Sequence, residues 1–159
     1  MSRPRNRWAM PVSILLALLL AVVPLPEVVQ PLRPFWLALV MAYWVIELPD
    51  SVGLGTVFAI GVVADLVMGG VLGEQALRLT VMAFILQRFR ARLRFFPLSQ
   101  QALALGGLLL NDRIIDMAIH AALGRPLLPW SYWWAPLVGM LLWPPLFLLI
   151  DGMHHGRRR

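Results

Sequence analysis

Long apolar runs, broken by short arginine clusters and prolines, dominate the pattern along this chain. A helix needs about 20 apolar residues to cross a hydrocarbon core roughly 30 Å thick, and six such spans leave room only for loops and tails. The first run holds 19 uncharged residues between Arg7 and Glu27, and gives span 8–29. A secretory signal has a similar outline, but Leu25-Pro26-Glu27 offers no small-residue cleavage pattern, so a retained anchor is expected. Phe35 to Ile46 is a shorter apolar run that becomes a thin span, 32–48, when taken with its flanks. The third span, 51–73, is rich in glycine and carries Asp65, and the fourth, 74–89, carries Arg78 and Gln87. The fifth, 98–123, starts apolar and then bears Asn111, Asp112, Arg113, Asp116 and His120. The sixth, 130–150, belongs to a stretch without charge from Pro126 to Ile150, and its entrance is crowded by Trp130, Tyr132, Trp133 and Trp134, as an interfacial aromatic belt would be. The pattern therefore predicts an all-α, polytopic membrane protein in which one transmembrane domain, a six-helix bundle, occupies residues 1–159.

Charge tests the number of spans. Six spans with the amino terminus inside put Arg3, Arg5, Arg7, the cluster Arg88, Arg90, Arg92, Arg94, and Arg157 to Arg159 in the cytoplasm, ten of the 14 basic residues. Omitting the fourth span would move the 88–94 cluster to the outer side with Arg33, against the positive-inside tendency. Both termini are therefore expected in the cytoplasm. Composition agrees: of 159 residues 60% are hydrophobic and 14% charged, and the mean hydropathy is +0.75. That excludes a disordered chain and argues against an ordinary water-soluble domain. All the basic residues are arginine, and their place between apolar runs points to membrane topology rather than nucleic acid. There is no cysteine, which excludes disulfides and thiolate ligands.

Five charged residues are candidates for charge that the bilayer should reject: Asp65, Arg78, Asp112, Arg113 and Asp116. At mid-membrane each costs about 2.5 to 3.5 kcal/mol, so each must face protein or water. At about 1.5 Å per residue, Asp65 and Asp112 both lie roughly 21 Å from the cytoplasmic side, and Arg78 enters from the outer side to roughly 6 Å. Asp112, Asp116 and His120 share a helix face at i, i+4 and i+8, and Arg113 with Asp116 is an i, i+3 pair. The expected arrangement is a structural charge network in which Asp65 and the Asp112/Asp116 face meet Arg78 or Arg113. Two other readings of the same residues are side chains that only reach the outer interface, and a proton relay or metal site at the carboxylates and His120. No HExxH, acid–base pair or phosphate-cradling loop supports catalysis. No enzyme activity, cofactor or metal is expected. His154-His155, next to the terminal arginines, reads as a solvated end.

Gly61, Asp65, Gly69 and Gly73 recur every four residues, the spacing at which small residues let membrane helices approach closely. Gly61, Gly69 and Gly73 are thus candidate packing positions; a docking face for another protein, or a broken substrate-binding helix, would use the same spacing. Pro144-Pro145 should bend the sixth span.

Arg33-Pro34-Phe35-Trp36, Tyr43-Trp44, Leu48-Pro49, Gly53, Gly55, Gly61, Asp65, Gly69, Leu72-Gly73 and Leu142-Trp143-Pro144 together resemble the rod shape-determining protein MreD family of bacteria. The resemblance covers essentially the whole chain and is most specific over residues 33–77. It implies a non-enzymatic inner-membrane scaffold of the cell-elongation machinery that supports lateral peptidoglycan synthesis. The partners it implies are the single helix of MreC and, indirectly, MreB, RodA and a class B penicillin-binding protein. It also implies a fold similar to the substrate-binding subunits of energy-coupling-factor transporters, which supplies the alternative function, binding a vitamin or other small molecule for transport. Asp112 and Arg113 match no family motif, and their roles rest on physics. For the partner surface, the residues expected to face MreC are Trp36, Tyr43 and Trp44.

Overall fold

The computed structural model describes residues 8–155; the arginines at 3, 5, 7 and 157–159 fall outside the described residues. Six α-helices follow one another, with no strand among the described residues: α1 (Ala9–Val22), α2 (Trp36–Glu47), α3 (Leu54–Met68), α4 (Glu74–Leu93), α5 (Leu98–Ala122) and α6 (Trp134–His155). Single 3-10 turns precede α2, at Gln30–Leu32, and α6, at Trp130–Trp133.

The ends of the helices follow from local chemistry. Pro24 drives the residue before it out of the helical region, so α1 stops at Val22, and Val23 has φ −56° and ψ 123°. Gly69, with φ +67°, closes α3 in the left-handed conformation that favours glycine. The fourth helix is longer than its apolar core suggests and runs to Leu93. Arg88, Arg90 and Arg92 are therefore on its last turns rather than in a loop, where positive charge complements the negative end of the helix dipole. In α6 the helix continues through Pro144 and Pro145 to His155. Trp130–His155, at 26 residues, is the one described stretch long and apolar enough to cross a membrane unaided; Ala9–Val22 and Leu54–Met68 are apolar but shorter.

At the centre lies α2, packed by α1, α4 and α6. Every residue from Leu37 to Ile46 is buried, and Tyr43 and Trp44 are 0% exposed. A helix that is apolar all round belongs in a core, and α2, about 18 Å long, has no lipid-facing side to match to a bilayer. The remaining helices form hairpins around it, α3 with α4 and α5 with α6. Gly61 makes the first hairpin possible, since a Cβ there would lie 2.4 Å from Ala76 Cα. In the second, a Cβ on Gly139 would meet Leu109 Cδ1 at 2.5 Å, and one on Gly106 would meet Met140 Sδ at 2.8 Å. Gly69 and Gly73 do not pack this way: both have positive φ, and a Cβ on either would meet nothing within 4 Å. Their spacing serves the turn between α3 and α4 rather than a helix contact.

The exterior is apolar and the interior holds the charge. Leu15, Leu66, Leu141 and Leu148 are exposed, whereas Asp65, Arg78, Asp112 and Asp116 are buried. Water-solvated proteins show the reverse, because burying unpaired charge is costly there and exposing clustered apolar side chains is unfavourable.

Candidate functional site

The buried charges gather at the end of the bundle that carries the α1–α2, α3–α4 and α5–α6 connections. Arg78 projects from the first turns of α4 toward α5 and grips Asp112 with two parallel bonds, Nε to Oδ1 at 2.8 Å and NH2 to Oδ2 at 2.6 Å. This planar fork suits a guanidinium and a carboxylate and is stronger than a single neutral hydrogen bond. The third nitrogen of Arg78 lies 3.4 Å from Asp116 Oδ1, and Arg113 NH1 reaches Asp116 Oδ2 at 3.2 Å. Phe35 lies under the Arg78 guanidinium, 4.8 Å from it, and Tyr132 faces that of Arg113 at 5.9 Å. An aromatic face attracts a cation most where water is scarce.

Arg78, Asp112, Arg113 and Asp116 thus form one chain of ion pairs across α4 and α5. Asp65 has a different role. Its carboxylate accepts the backbone N–H groups of Gly73 at 2.8 Å and Gln75 at 2.9 Å, so it caps the start of α4 rather than meeting an arginine. The physical reason is proximity: the orphan N–H groups of a helix start attract an anion, and the tight α3–α4 turn brings them to Asp65. At the rim, Arg125 reaches Glu74 at 3.3 Å.

Ligand atoms of Glu74, Asp116 and His120 lie within 4.8 Å of one another. Arg125 already faces Glu74, and Arg78 and Arg113 already face Asp116, so a divalent cation would enter beside three guanidiniums. The donor set suits ion pairing better than metal binding.

The aromatic trio divides. Tyr43 and Trp44 point into the core, so they do not form a surface for a partner. Tyr43 donates to Asp151 Oδ1 at 3.0 Å, and Trp44 Nε1–H donates to Ser13 Oγ at 2.8 Å. An aromatic run with no polar face looks the same whether lipid or protein surrounds it. Trp36 is half-buried and lines the pocket below the charge cluster. Small residues that sequence reasoning passed over do contribute: Ala102 and Gly106, and Ala135 and Gly139, are four apart at the α5–α6 contact. That spacing was the available signal. Gln101 was missed as well. It is 4% exposed and donates to Leu93 O at 2.9 Å while accepting from Trp143 Nε1 at 3.3 Å.

At the opposite end, α4 and α5 leave a cleft of about 400 Å³ between them, lined by Ile85, Phe89, Phe96, Ala104, Gly107 and Leu108. Its walls are small and aromatic, with Arg92 at the edge.

Comparison with known proteins supplies the context for these features. The family model for rod shape-determining protein MreD matches residues 2–152. The rod shape-determining protein MreD of Haemophilus influenzae is 32% identical over 135 residues, covering 85% of this chain and 83% of that protein. No solved structure matches. Neither sequence match supports the transport reading. With nearly all of its helical region inside the match, the chain belongs to the rod shape-determining MreD family, bacterial membrane proteins that determine cell shape.

Proposed function

We propose that this protein is a non-enzymatic scaffold of the bacterial cell-elongation complex, a single six-span domain in the inner membrane with both termini in the cytoplasm. In this reading it holds the transmembrane helix of MreC and through it serves MreB, RodA and a class B penicillin-binding protein in lateral peptidoglycan synthesis. A fold similar to that of energy-coupling-factor substrate-binding subunits belongs to the same proposal. The observation that carries it is the inverted distribution of polarity, with Arg78, Asp112 and Asp116 buried and leucines exposed on α1, α3 and α6. Charges so arranged tie α4 to α5, and the apolar exterior is left for lipid and for other helices.

The α4–α5 cleft replaces Tyr43 and Trp44 as the proposed seat of the MreC helix. Gly107 and Ala104 let a backbone come close, Phe89 and Phe96 supply flat contact area, and a Cβ on Gly107 would meet nothing within 4 Å. Arg88, Arg92 and Arg94 are exposed beside it, at the depth of anionic headgroups in this topology. Co-purification in detergent tests the seat: Gly107→Phe should abolish retention of MreC while folded yield stays unchanged, and full retention rejects it. The absence of cysteine makes topology directly testable. A single cysteine at 94 should react only with cytoplasmic reagents and one at 124 only with periplasmic ones; the opposite result overturns the topology.

A further inference from the structure

Between the Arg33 segment, α2, α4, α5 and the turn before α6 lies a second pocket, of about 210 Å³. Its wall contains three guanidiniums from three separate elements, Arg33, Arg78 and Arg113, and no carboxylate side chain. Asp112 and Asp116 hold Arg78 and Arg113 from behind. Nothing ionic balances Arg33 among the described residues. Its two terminal nitrogens donate to the neutral carbonyls of Ala21, at 2.8 Å, and Val23. Its Nε is buried and has no acceptor, and on the facing α4 the Oε1 of Gln75, another lining residue, is buried and has no donor. Buried polar atoms of this kind are rare, because each forfeits its hydration without recompense. The aromatic rings of Trp36 and Tyr132 complete the wall and keep the local dielectric low, which strengthens attraction between a cation and an anion.

We propose that this pocket binds a phosphate ester bearing a free hydroxyl, as a lipid headgroup or as a soluble phosphate. The anionic oxygens supply what Arg33 Nε lacks and balance its charge; the hydroxyl supplies the donor that Gln75 Oε1 lacks. Guanidiniums prefer such multidentate oxygen acceptors over simple halide ions. The volume suits a headgroup and is below the roughly 300 to 1,000 Å³ of a pocket for a drug-sized molecule. The site is distinct from the α4–α5 cleft, so it stands or falls independently of MreC docking.

The test uses the full chain, purified in a neutral detergent, with its thermal midpoint followed as probes are added at constant ionic strength. Dioleoyl phosphatidylglycerol should raise the midpoint by several degrees, and dioleoyl phosphatidylcholine should not. Glycerol 3-phosphate tested alone separates the sources: a comparable rise assigns the site to soluble phosphate esters, and a rise with the lipid alone assigns it to a headgroup. Gln75→Glu, an isosteric change that adds negative charge to the wall, should weaken the response roughly tenfold or more. Arg33→Gln should do the same, and should this variant fold poorly because Ala21 and Val23 lose their donor, Gln75→Glu decides alone. Equal responses to the two lipids, no response to any probe, or a full response in Gln75→Glu overturns the proposal.

Discussion

The two ends of the bundle hold their buried polar groups in opposite ways. Where α4 and α5 meet near the α3–α4 turn, ionised groups pair with one another: Arg78 with Asp112 and Asp116, and Arg113 with Asp116. Toward the other end the bonds are mostly between neutral groups. Trp44 donates to Ser13, and Trp143 donates to Gln101, which in turn donates to the carbonyl of Leu93. The two arrangements differ most in the cost of losing one partner. A neutral donor without its acceptor forfeits a modest net hydrogen bond plus its desolvation, whereas a guanidinium without its carboxylate leaves a whole charge stranded. The first end is therefore brittle and geometrically exacting, and the second tolerant.

Asp112→Leu should be the most damaging single change, costing about 3 to 5 kcal/mol because Arg78 would keep its charge at 7% exposure. Thermal unfolding in detergent measures it. Adding Arg78→Met should restore much of the loss, and a double variant as unstable as the single one would break the contrast. Gly61→Ala comes next, with a loss of about 1 to 3 kcal/mol, since the new methyl meets Ala76 backbone at 2.4 Å. Gly139→Ala serves as its control and should cost clearly less, as a side-chain methyl of Leu109 rather than backbone must give way. At the neutral end, a double-mutant cycle on Trp44→Phe and Ser13→Ala should return a coupling of about 0.6 kcal/mol, the scale of hydrogen bonds between membrane helices. A coupling as large as that of Arg78 with Asp112 would erase the distinction between the ends. The smallest effect belongs to Arg125→Gln, under about 1 kcal/mol, because the Arg125 side chain is 34% exposed and its bond to Glu74 is at the rim.

Much of this was legible in the residues. Counting depth along the spans put Asp65, Arg78 and Asp112 toward one end, and helical spacing put Asp112, Asp116 and His120 on one face; the structure has Arg78 and Asp112 in contact across that end. Three features were hidden for identifiable reasons. The partner chosen by Asp65 is backbone, and which backbone N–H groups face a carboxylate depends on the turn at Gly69 and Gly73, not on its side-chain neighbours. The four-residue spacing of glycines does not separate a close helix contact, as at Gly61, from a left-handed turn, as at Gly69. Most of all, in lipid the outward and inward faces of a helix are both apolar, so nothing in the run from Phe35 to Ile46 distinguishes a core helix from a peripheral one.

The burial of α2 has a consequence for assembly. It is the second of the described helices to be synthesised, yet part of its enclosure comes from α6, the sixth. Until α6 arrives, Tyr43 and Trp44 lack the Asp151 and His154 side chains that they meet in the finished bundle. A chain cut before residue 134 would enter the bilayer with its middle unclosed, and a quality-control protease that reads exposed interhelical surface would find it there. Completion of the core is in this sense a checkpoint on synthesis through α6.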